Sequence, residues 1–379
     1  MIKLSEISES IKPSLTRKLF NMAIEYDDVI DFTLGDPDIQ THQAIQEGKT
    51  RYSQNAGLMA LRETISRYYK RTEGLDYNPS NEIIVTVGAM EGLFLTLMSI
   101  LNPGDEVIIP APYYVNYVQM VQMCNANPII IDNPNIGDLS FDVGDVEKAI
   151  TNKTKALIIN TPANPSGKLI AQDKIQALAE LAKKYDLVVI SDEVYKCLIY
   201  DNVQFSTIAK IDGMRERTIL VNSLSKEFCM TGWRIGYVLA PQEVVASMTK
   251  LQENVAACAP LPSQYAAIEA LSGNGDYSSN MQNVFLSRRN LLVEGIKSIP
   301  LLDCNMPEAT FYLMINISGT GMKSEQFAFE LLKAVHVAVV PGISYGRTCD
   351  DYVRMAFTVG EEKIKEGLKR IRLFTESLL

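Results

Sequence analysis

The stretch SLSKEFCMTGWRIGY, residues 223–237, places a lysine among small hydroxyl residues and an arginine eight positions later. Ser223 and Ser225 flank the approach to Lys226, and Arg234 follows a Thr-Gly-Trp tripeptide. The segment suits neither a surface helix nor a buried strand, so we interpret it as a turn that holds an amine near a guanidinium. Most lysines are surface residues, but partial desolvation lowers the pKa of the amine and lets it form a Schiff base. The neighbouring serine and arginine favour this second interpretation.

The composition narrows the classes of protein that fit this chain. Its 379 residues carry a net charge of −9, and an acidic chain without basic clusters is a poor ligand for nucleic acids or membrane surfaces. No apolar run is long enough to span a bilayer and no signal peptide opens the chain, so a cytoplasmic enzyme is expected. The only histidines are His42 and His336, which argues against a Ser-His-Asp triad and a histidine-rich metal site. We therefore predict no metal, and chemistry based on lysine, carboxylates, tyrosines or a bound cofactor.

Short apolar runs rich in β-branched residues alternate with segments of helical spacing. The runs are EIIVTV (82–87), EVIIP (106–110), PIII (128–131), ALIIN (156–160), LVVIS (187–191), TILVN (218–222) and IGYVLA (235–240). Continuous apolar runs of this length predict buried strands of a mostly parallel sheet. Their alternation with helices predicts a doubly wound α/β domain.

The pattern changes from about residue 245, where long helical segments lead into a smaller α+β unit. We predict strands at FYLMINIS (311–318), VAVVPG (337–342) and YVRMAFTV (352–359), a helix at SEQFAFELLKAV (324–335) and a closing helix from Glu361. The predicted division is a large domain over residues 36–270 and a small domain made of residues 1–35 and 271–379.

Polar residues follow several of the predicted strands, at the edge where an open α/β sheet binds its ligands. Gly88-Ala89-Met90 begins a helix whose free N–H groups could bind a phosphate, or else forms a plain tight turn. Asp192 ends a buried strand, so its carboxylate either caps a structural feature or meets a cationic group of a ligand. Each signal is weak alone, but all of them, with Lys226, fall at one crevice.

Several segments of the chain resemble those of a known family. The segment SLSKEFCMTGWRIGY resembles the pyridoxal-phosphate (PLP) lysine signature of the class I and II aminotransferases, which are fold-type I PLP enzymes of the aspartate and aromatic aminotransferase kind. Further blocks resemble the family in the same order: FTLGDPD (32–38), TRYSQNAGLMALR (50–62), VTVGAMEGL (85–93), APYYVNY (111–117), NTPANPSG (160–167), ISDEVY (190–195), VVPGISYG (339–346) and VRMAF (353–357). The resemblance covers essentially the whole chain and implies a three-layer fold with a seven-stranded, mostly parallel sheet.

The resemblance implies a role for each residue at the cofactor ring. Lys226 would form the Schiff base with PLP and then carry the proton between the substrate α-carbon and the cofactor. Asp192 would pair with the pyridine nitrogen, so that the ring can accept electrons. Asn164 and Tyr195 would hydrogen-bond the ring oxygen, and Tyr114, or its neighbour Tyr113, would stack on the ring.

The resemblance also implies how the phosphate and the substrate are held. The phosphate would be bound by Arg234, Ser223 and Ser225 and by the helix start at Gly88, Ala89 and Met90. Arg354 would grip the substrate α-carboxylate, beside Asn164 and the backbone of Gly35. Tyr52 would cross into the neighbouring subunit to reach its phosphate, which implies a homodimer.

The implied activity is transfer of the α-amino group of an L-amino acid to a 2-oxo acid, with 2-oxoglutarate as the expected acceptor. The alternatives are a carbon–sulfur β-lyase, a cyclopropane-carboxylate synthase or a decarboxylase on the same scaffold, or a PLP-binding regulator, for which the chain leaves no room for a DNA-binding domain. The chain is shorter than the family between residues 38 and 52, where the substrate lid lies. The apolar segment NVAACAPLPSQ (254–264) favours aromatic, aliphatic or modified amino acids over aspartate alone.

Overall fold

The computed structural model describes residues 15, 19, 26–33, 52–132, 136–273 and 276–379. Its strands are β1 (Ile30–Asp31), β2 (Ile83–Thr86), β3 (Glu106–Pro110), β4 (Asn127–Ile131), β5 (Thr154–Asn160), β6 (Val188–Asp192), β7 (Thr218–Ser223), β8 (Gly236–Leu239), β9 (Asp303–Cys304), β10 (Tyr312–Asn316), β11 (Val337–Ala338), β12 (Val340–Pro341) and β13 (Tyr352–Ala356). Its α-helices, numbered from residue 52 onward, are α1 (Met59–Thr72), α2 (Gly88–Ile100), α3 (Asn116–Met123), α4 (Val143–Lys148), α5 (Gln172–Lys184), α6 (Leu224–Glu227), α7 (Gln242–Val255), α8 (Leu261–Ser272), α9 (Asp276–Lys297), α10 (Ser324–Val335) and α11 (Glu361–Glu376).

The seven predicted apolar runs form the strands of one sheet, in the order β2-β8-β7-β6-β5-β3-β4. The pairs from β7 through β6, β5 and β3 to β4 are parallel. Strand β8 runs antiparallel to both of its neighbours, β2 and β7. The prediction of a mostly parallel, seven-stranded sheet is confirmed.

Helices cover both faces of this sheet. Successive strand residues point to opposite faces, so chain neighbours pack against different helices. Ile158 and Val221 pack on the face covered by α2, α3 and α7. Their chain neighbours pack on the other face, Leu157 against α4 and α5 and Leu220 against α1 and α8. The predicted three-layer α/β architecture is therefore confirmed.

One predicted buried strand lies at the edge of the sheet. In β4 only Ile131 is buried, and Asn127 is exposed. This strand pairs with β3 alone and has no second neighbour in the seven-stranded order. An edge position explains the exposure of an apolar run that the sequence had indicated to be buried.

A second, four-stranded sheet has the order β12-β13-β10-β9 and is antiparallel throughout. The predicted single strand VAVVPG is wrong in detail. Val337–Ala338 pairs in parallel with Ile30–Asp31, whereas Val340–Pro341 pairs with β13 in the other sheet. The chain changes partners at Val339, which is buried in the core between these elements.

Helices α10 and α11 form where helical spacing predicted them, at residues 324–335 and from Glu361. Both pack on the antiparallel sheet through a core that also contains Tyr195 of the strand-to-helix turn after β6. Within the described ranges, no helix is long and apolar enough to cross a membrane.

Candidate active site

The carboxyl ends of β5, β6 and β7 bring three polar residues to one edge of the sheet. These are Asn160, Asp192 and Ser223, each the last residue of its strand. Asn160 and Asp192 are register partners, and the Asn160 side chain donates a hydrogen bond to the backbone carbonyl of Asp192 at 3.0 Å. Parallel pairing thus sets the site residues side by side.

Asp192 is a buried carboxylate that accepts two hydrogen bonds. The hydroxyl of Tyr117 on α3 donates to Oδ2 at 2.5 Å, and the backbone N–H of Val194 donates to Oδ1 at 3.3 Å. Burial raises the pKa of Asp192 to about 6, and the two hydrogen bonds act in the opposite direction. A buried carboxylate held in this way is suited to pair with a cationic ring nitrogen.

Arg354 is buried in the middle of β13 and is pinned on two sides. One guanidinium nitrogen donates to Oδ1 of Asn164 at 2.9 Å, and another donates to the backbone carbonyl of Thr33 at 2.7 Å. Tyr312 and Tyr345 flank it, with ring centroids 4.1 and 5.2 Å from the guanidinium carbon. Among the described residues, Nε of Arg354 has no hydrogen-bond partner. An anion beside this group would satisfy it.

Tyr195 follows β6 by three residues and lies between the two sheets. Its hydroxyl lies 3.1 Å from that of Tyr312, and its ring packs edge-on against Phe311. The amine of Lys226 is 5.5 Å from the centroid of the same Phe311 ring. Phe311 is therefore a common neighbour of the tyrosine and the lysine.

Lys226 lies in α6, a helix of only four residues directly after β7. Ser223 caps this helix, because its hydroxyl accepts a hydrogen bond from the backbone N–H of Ser225 at 2.9 Å. Ser223 and Ser225 are both buried, whereas Lys226 is half-buried. The predicted turn is thus a capped single helical turn followed by a 3₁₀ turn at Thr231–Trp233.

Arg234 lies beside the start of α2 because β8 runs antiparallel. Gly236, the first residue of β8, pairs with both Ser223 and Thr86, which end β7 and β2. A Cβ on Gly88 would lie 2.5 Å from a terminal nitrogen of Arg234, so the guanidinium packs against this glycine. Gly88 has φ +74°, a conformation that favours glycine. A guanidinium and the free N–H groups of a helix start here share one corner, which is a phosphate-binding arrangement.

Tyr114 and Tyr113 point to different surroundings. The hydroxyl of Tyr114 contacts Sδ of Met90 at 3.5 Å, and its ring packs edge-on against Tyr117. Burial raises the pKa of Tyr114 to about 12, with Tyr312 and Asp192 acting in the same direction. Tyr113 instead lies near Asp132 and Cys349. Tyr114 is therefore the one of the pair next to the Asp192 carboxylate.

One other predicted site residue, Tyr52, is not brought into this cluster. Tyr52 is 87% exposed, although its segment is fixed by Gln264, which binds the hydroxyl of Ser53 and the backbone of Leu58. Gly35 lies outside the described residues. Ala89 and Met90 lie at the start of α2, partly buried, as the helix-start prediction requires.

These residues fit a phosphate-bearing heteroaromatic cofactor. The Gly88 cradle, which a Cβ would fill, and the Arg234 guanidinium suit the phosphate, and the buried Asp192 suits a protonated ring nitrogen. The half-buried amine of Lys226 suits an aldehyde.

Comparisons with known proteins give the same picture. The profile of the family described as "Aminotransferase class I and II" matches residues 27–371. The chain is 40% identical to "Putative aminotransferase YugH" of Bacillus subtilis, over 98% of both chains, and 37% identical to an aspartate aminotransferase of Pyrococcus abyssi, over 97% of both. A solved aromatic aminotransferase of Pyrococcus horikoshii superposes with a TM-score of 0.89 at 35% identity, over 95% of this chain and 100% of that one.

The chain belongs to the class I and II aminotransferases. Enzymes of this family use PLP, and the chain is an aminotransferase that moves amino groups with this cofactor. Aminotransferases of this kind act on amino acids and 2-oxo acids. The lyase alternatives are not favoured, because the similar proteins named above are aminotransferases.

Residue-by-residue reasoning missed four contributors to this aminotransferase site. Tyr117 and Asn160 hydrogen-bond Asp192, Thr33 fixes Arg354, and Tyr312 contacts both Tyr195 and Arg354. Tyr117 lies inside the block APYYVNY, so its position in the motif was the one available signal. The backbone carbonyl of Thr33 and the cross-sheet contact of Tyr312 leave no mark in the local sequence.

Proposed function

We propose that the predicted residues divide the work of amino transfer as their placement suggests. Lys226 holds the PLP aldehyde in the resting enzyme and afterwards moves a proton between the substrate α-carbon and the cofactor. Asp192 keeps the ring nitrogen protonated. When bound, PLP supplies a ring that accepts the electrons left on the substrate α-carbon after its proton is removed. Asn164 and Tyr195 donate hydrogen bonds to the ring oxygen, and Tyr114 lies against the ring.

The phosphate is bound by Arg234, by the hydroxyls of Ser223 and Ser225, and by the helix start at Gly88, Ala89 and Met90. Arg354 binds the α-carboxylate of the substrate, with Asn164 and Gly35 beside it. Its buried guanidinium is held by two fixed acceptors, so its orientation is set before the substrate arrives.

One observation carries this proposal, a line of hydrogen bonds that joins the backbone of Asp192 to the guanidinium of Arg354. The Asn160 side chain donates to the carbonyl of Asp192 and accepts from the backbone N–H of Asn164 at 2.7 Å. The Asn164 side chain then accepts from Arg354. The carboxylate for the ring and the guanidinium for the substrate are therefore fixed relative to each other.

The test uses the absorbance of the purified holoenzyme with an amino acid and no 2-oxo acid. The wild type should shift its cofactor absorbance from the visible to the near ultraviolet, because the amino group has passed to the cofactor. Lys226→Ala should abolish turnover while leaving the melting temperature close to that of the wild type. A yellow, active Lys226→Ala enzyme would refute the assignment, and release of a 2-oxo acid and ammonia without an acceptor would identify a lyase instead.

We also propose that the enzyme is a homodimer in which Tyr52 reaches the phosphate of the partner subunit. The exposure of this aromatic side chain on an anchored segment supports the proposal. Mixing Lys226→Ala chains with impaired Tyr52→Ala chains tests it. A hybrid dimer would contain one intact site, so activity should exceed that of either variant alone. If the activity of the mixture only averages the two, Tyr52 acts within its own subunit.

The remaining proposals concern the substrates and the organisation of the chain. We propose 2-oxoglutarate as the amino acceptor, an L-amino acid as the donor and a cytoplasmic location. The similar proteins are named for aspartate and for aromatic amino acids, so a panel of both in the absorbance assay decides the donor. The domain division at residues 36 and 270 stays a proposal, and limited proteolysis that cut elsewhere first would count against it.

A further inference from the structure

A buried cluster of charged side chains lies directly behind the residues proposed to hold the cofactor. We call it the Lys196 cluster. Its members are Glu73, Glu193, Lys196 and Glu227, with Tyr68 and Tyr69 packed among them and Lys210 at its rim. Nothing in the proposed reaction uses these groups.

Three members of the cluster, and Asn222 that contacts it, are chain neighbours of proposed site residues. The pairs are Asp192 with Glu193, Tyr195 with Lys196, Ser223 with Asn222, and Lys226 with Glu227. Asn222 contributes by donating to the hydroxyl of Tyr69 at 3.1 Å. The segments after β6 and around the end of β7 therefore contribute to both the site and the cluster, and the α1 region completes the cluster.

Lys196 is the buried cation of this cluster. Its amine lies 3.3 Å from Oε1 of Glu73 and 3.9 Å from the centroid of the Tyr69 ring, and its side chain is 4% exposed. Burial alone would lower the pKa of Lys196, but Tyr69, Glu73, Glu193 and Glu227 raise it above its ordinary value. The ammonium is therefore charged at neutral pH.

The carboxylates around Lys196 depend on this charge. Glu227 accepts a hydrogen bond from Tyr68 at 2.8 Å, and Oε1 of Glu193 accepts hydrogen bonds from Ser191 and Thr207. Oε2 of Glu193 has no partner among the described residues. Burial raises the pKa of Glu227, and raises that of Glu193 to about 7, whereas Lys196 lowers both. Without the ammonium, both carboxyls would hold protons to higher pH.

Helix α6 is the element that transmits this arrangement to the active site. Four residues cannot form a stable helix on their own, because nucleation is unfavourable. The position of α6 therefore depends on the groups that fix its ends, Ser223 at the start and Glu227 at the last residue. Lys226 and Glu227 are consecutive, so a movement that releases Glu227 also displaces the Lys226 amine.

We propose that Lys196 is a positioning residue for Lys226: its buried ammonium lies 5.0 Å from the centroid of the Tyr68 ring, the Tyr68 hydroxyl holds Glu227, and this contact path fixes the helical turn that presents the amine. This inference rests on the proposed role of Lys226. The titratable groups around Lys196 and Glu227 are Tyr68 and Tyr69 of α1, Glu73 directly after α1, Glu193, Cys197, Lys210, and Tyr237 of β8.

The test compares Lys196→Met with Lys210→Met, both as holoenzymes. Lys210 pairs with the same Glu73 at 2.9 Å, but its side chain is 37% exposed, so it is a matched control for removal of an ammonium. Lys196→Met should lower kcat about tenfold or more with little change in KM. A tenfold fall corresponds to an activation barrier higher by about 1.4 kcal/mol. Its kcat should also fall as the pH rises above neutrality, because Glu193 and Glu227 then ionise without their counter-ion. Lys210→Met should keep the wild-type rate and pH profile.

A second substitution separates positioning from general damage. In Lys196→Met/Glu227→Gln, an amide that does not ionise replaces the carboxylate next to Lys226. The loss of rate at high pH should therefore largely disappear. Wild-type kinetics in Lys196→Met would overturn the inference. So would a loss of rate at high pH that the added Glu227→Gln substitution does not relieve. If Lys196→Met does not fold, Glu227→Gln should lower kcat more than Glu73→Gln does, and equal effects would overturn the inference. An inactive wild type would contradict the proposed function instead.

Discussion

The hydrogen bond from Tyr117 to Asp192 allows a quantitative prediction about cofactor binding. Tyr117→Phe removes the 2.5 Å contact and leaves Asp192 with the longer one from the Val194 backbone. A hydrogen bond to a charged group contributes about 1.5–3 kcal/mol, and 1.36 kcal/mol corresponds to one pKa unit. The pKa of Asp192, about 6 in the unsubstituted protein, should therefore rise by about 1–2 in the variant.

The sign follows from the form of Asp192 that binds the cofactor. Only the carboxylate can pair with a protonated ring nitrogen, so PLP affinity should fall as the pH drops through the pKa of Asp192. The midpoint of this fall should lie about 1–2 pH units higher in Tyr117→Phe. The folded-state pKa of Asp192 is raised, so the contribution of this carboxyl to the stability of the cofactor-free protein is fully present below its ordinary pKa of 3.8 and is lost as the pH rises through about 6. In the variant this loss should continue to higher pH.

The assay is PLP dissociation, followed by absorbance, and the melting temperature of the cofactor-free protein, both as functions of pH. Tyr200→Phe is the matched control, because it removes another buried tyrosine hydroxyl, one that donates to the carbonyl of Thr310 and not to Asp192. An unchanged midpoint in Tyr117→Phe, or an equal shift in Tyr200→Phe, would refute the electrostatic reasoning.

Two further substitutions test the phosphate and carboxylate sites. Gly88→Ala places a Cβ 2.5 Å from Arg234 and should weaken PLP binding about tenfold; Gly74→Ala, also at positive φ but with nothing within 4 Å, should leave binding unchanged. Arg354→Lys keeps the charge but loses the planar fork, so kcat/KM for the amino acid should fall about 100-fold while PLP stays bound. Arg289→Lys, which breaks a bidentate pair between the buried Arg289 and the exposed Asp201, should not change kcat/KM, and a comparable fall in both variants would contradict the role of Arg354.

The strands could be predicted from the sequence because burial leaves a local pattern. The runs ending at Asn160, Asp192 and Ser223 are apolar over several residues, and each becomes a strand of the sheet. Strand direction leaves no such pattern, since a run such as IGYVLA reads equally well either way. The antiparallel orientation of β8, which brings Arg234 to Gly88, was therefore visible only in the structure.

The polar contacts between residues far apart in the chain could not be predicted from the sequence either. Lys196 and Glu73 are 123 positions apart, and Arg354 and Thr33 are 321 apart. Lys196, Glu73 and Thr33 are unremarkable among their sequence neighbours, and only burial shows that their partners matter. The resemblance supplied residues by motif, but it could not supply the groups that hold those residues in place.

The pairing of Ser223 with Gly236 has a consequence for how the enzyme keeps its cofactor between half-reactions. It closes residues 224–235 into a loop anchored on adjacent strands, so Lys226 and Arg234 belong to one segment of the large sheet. Arg354 belongs to the other sheet and reaches this one through side-chain hydrogen bonds. We expect PLP to remain bound much longer than the substrate does. Substrates can then exchange many times while one PLP molecule stays in place. Release of PLP at each turnover, measured by trapping the free cofactor, would contradict this expectation.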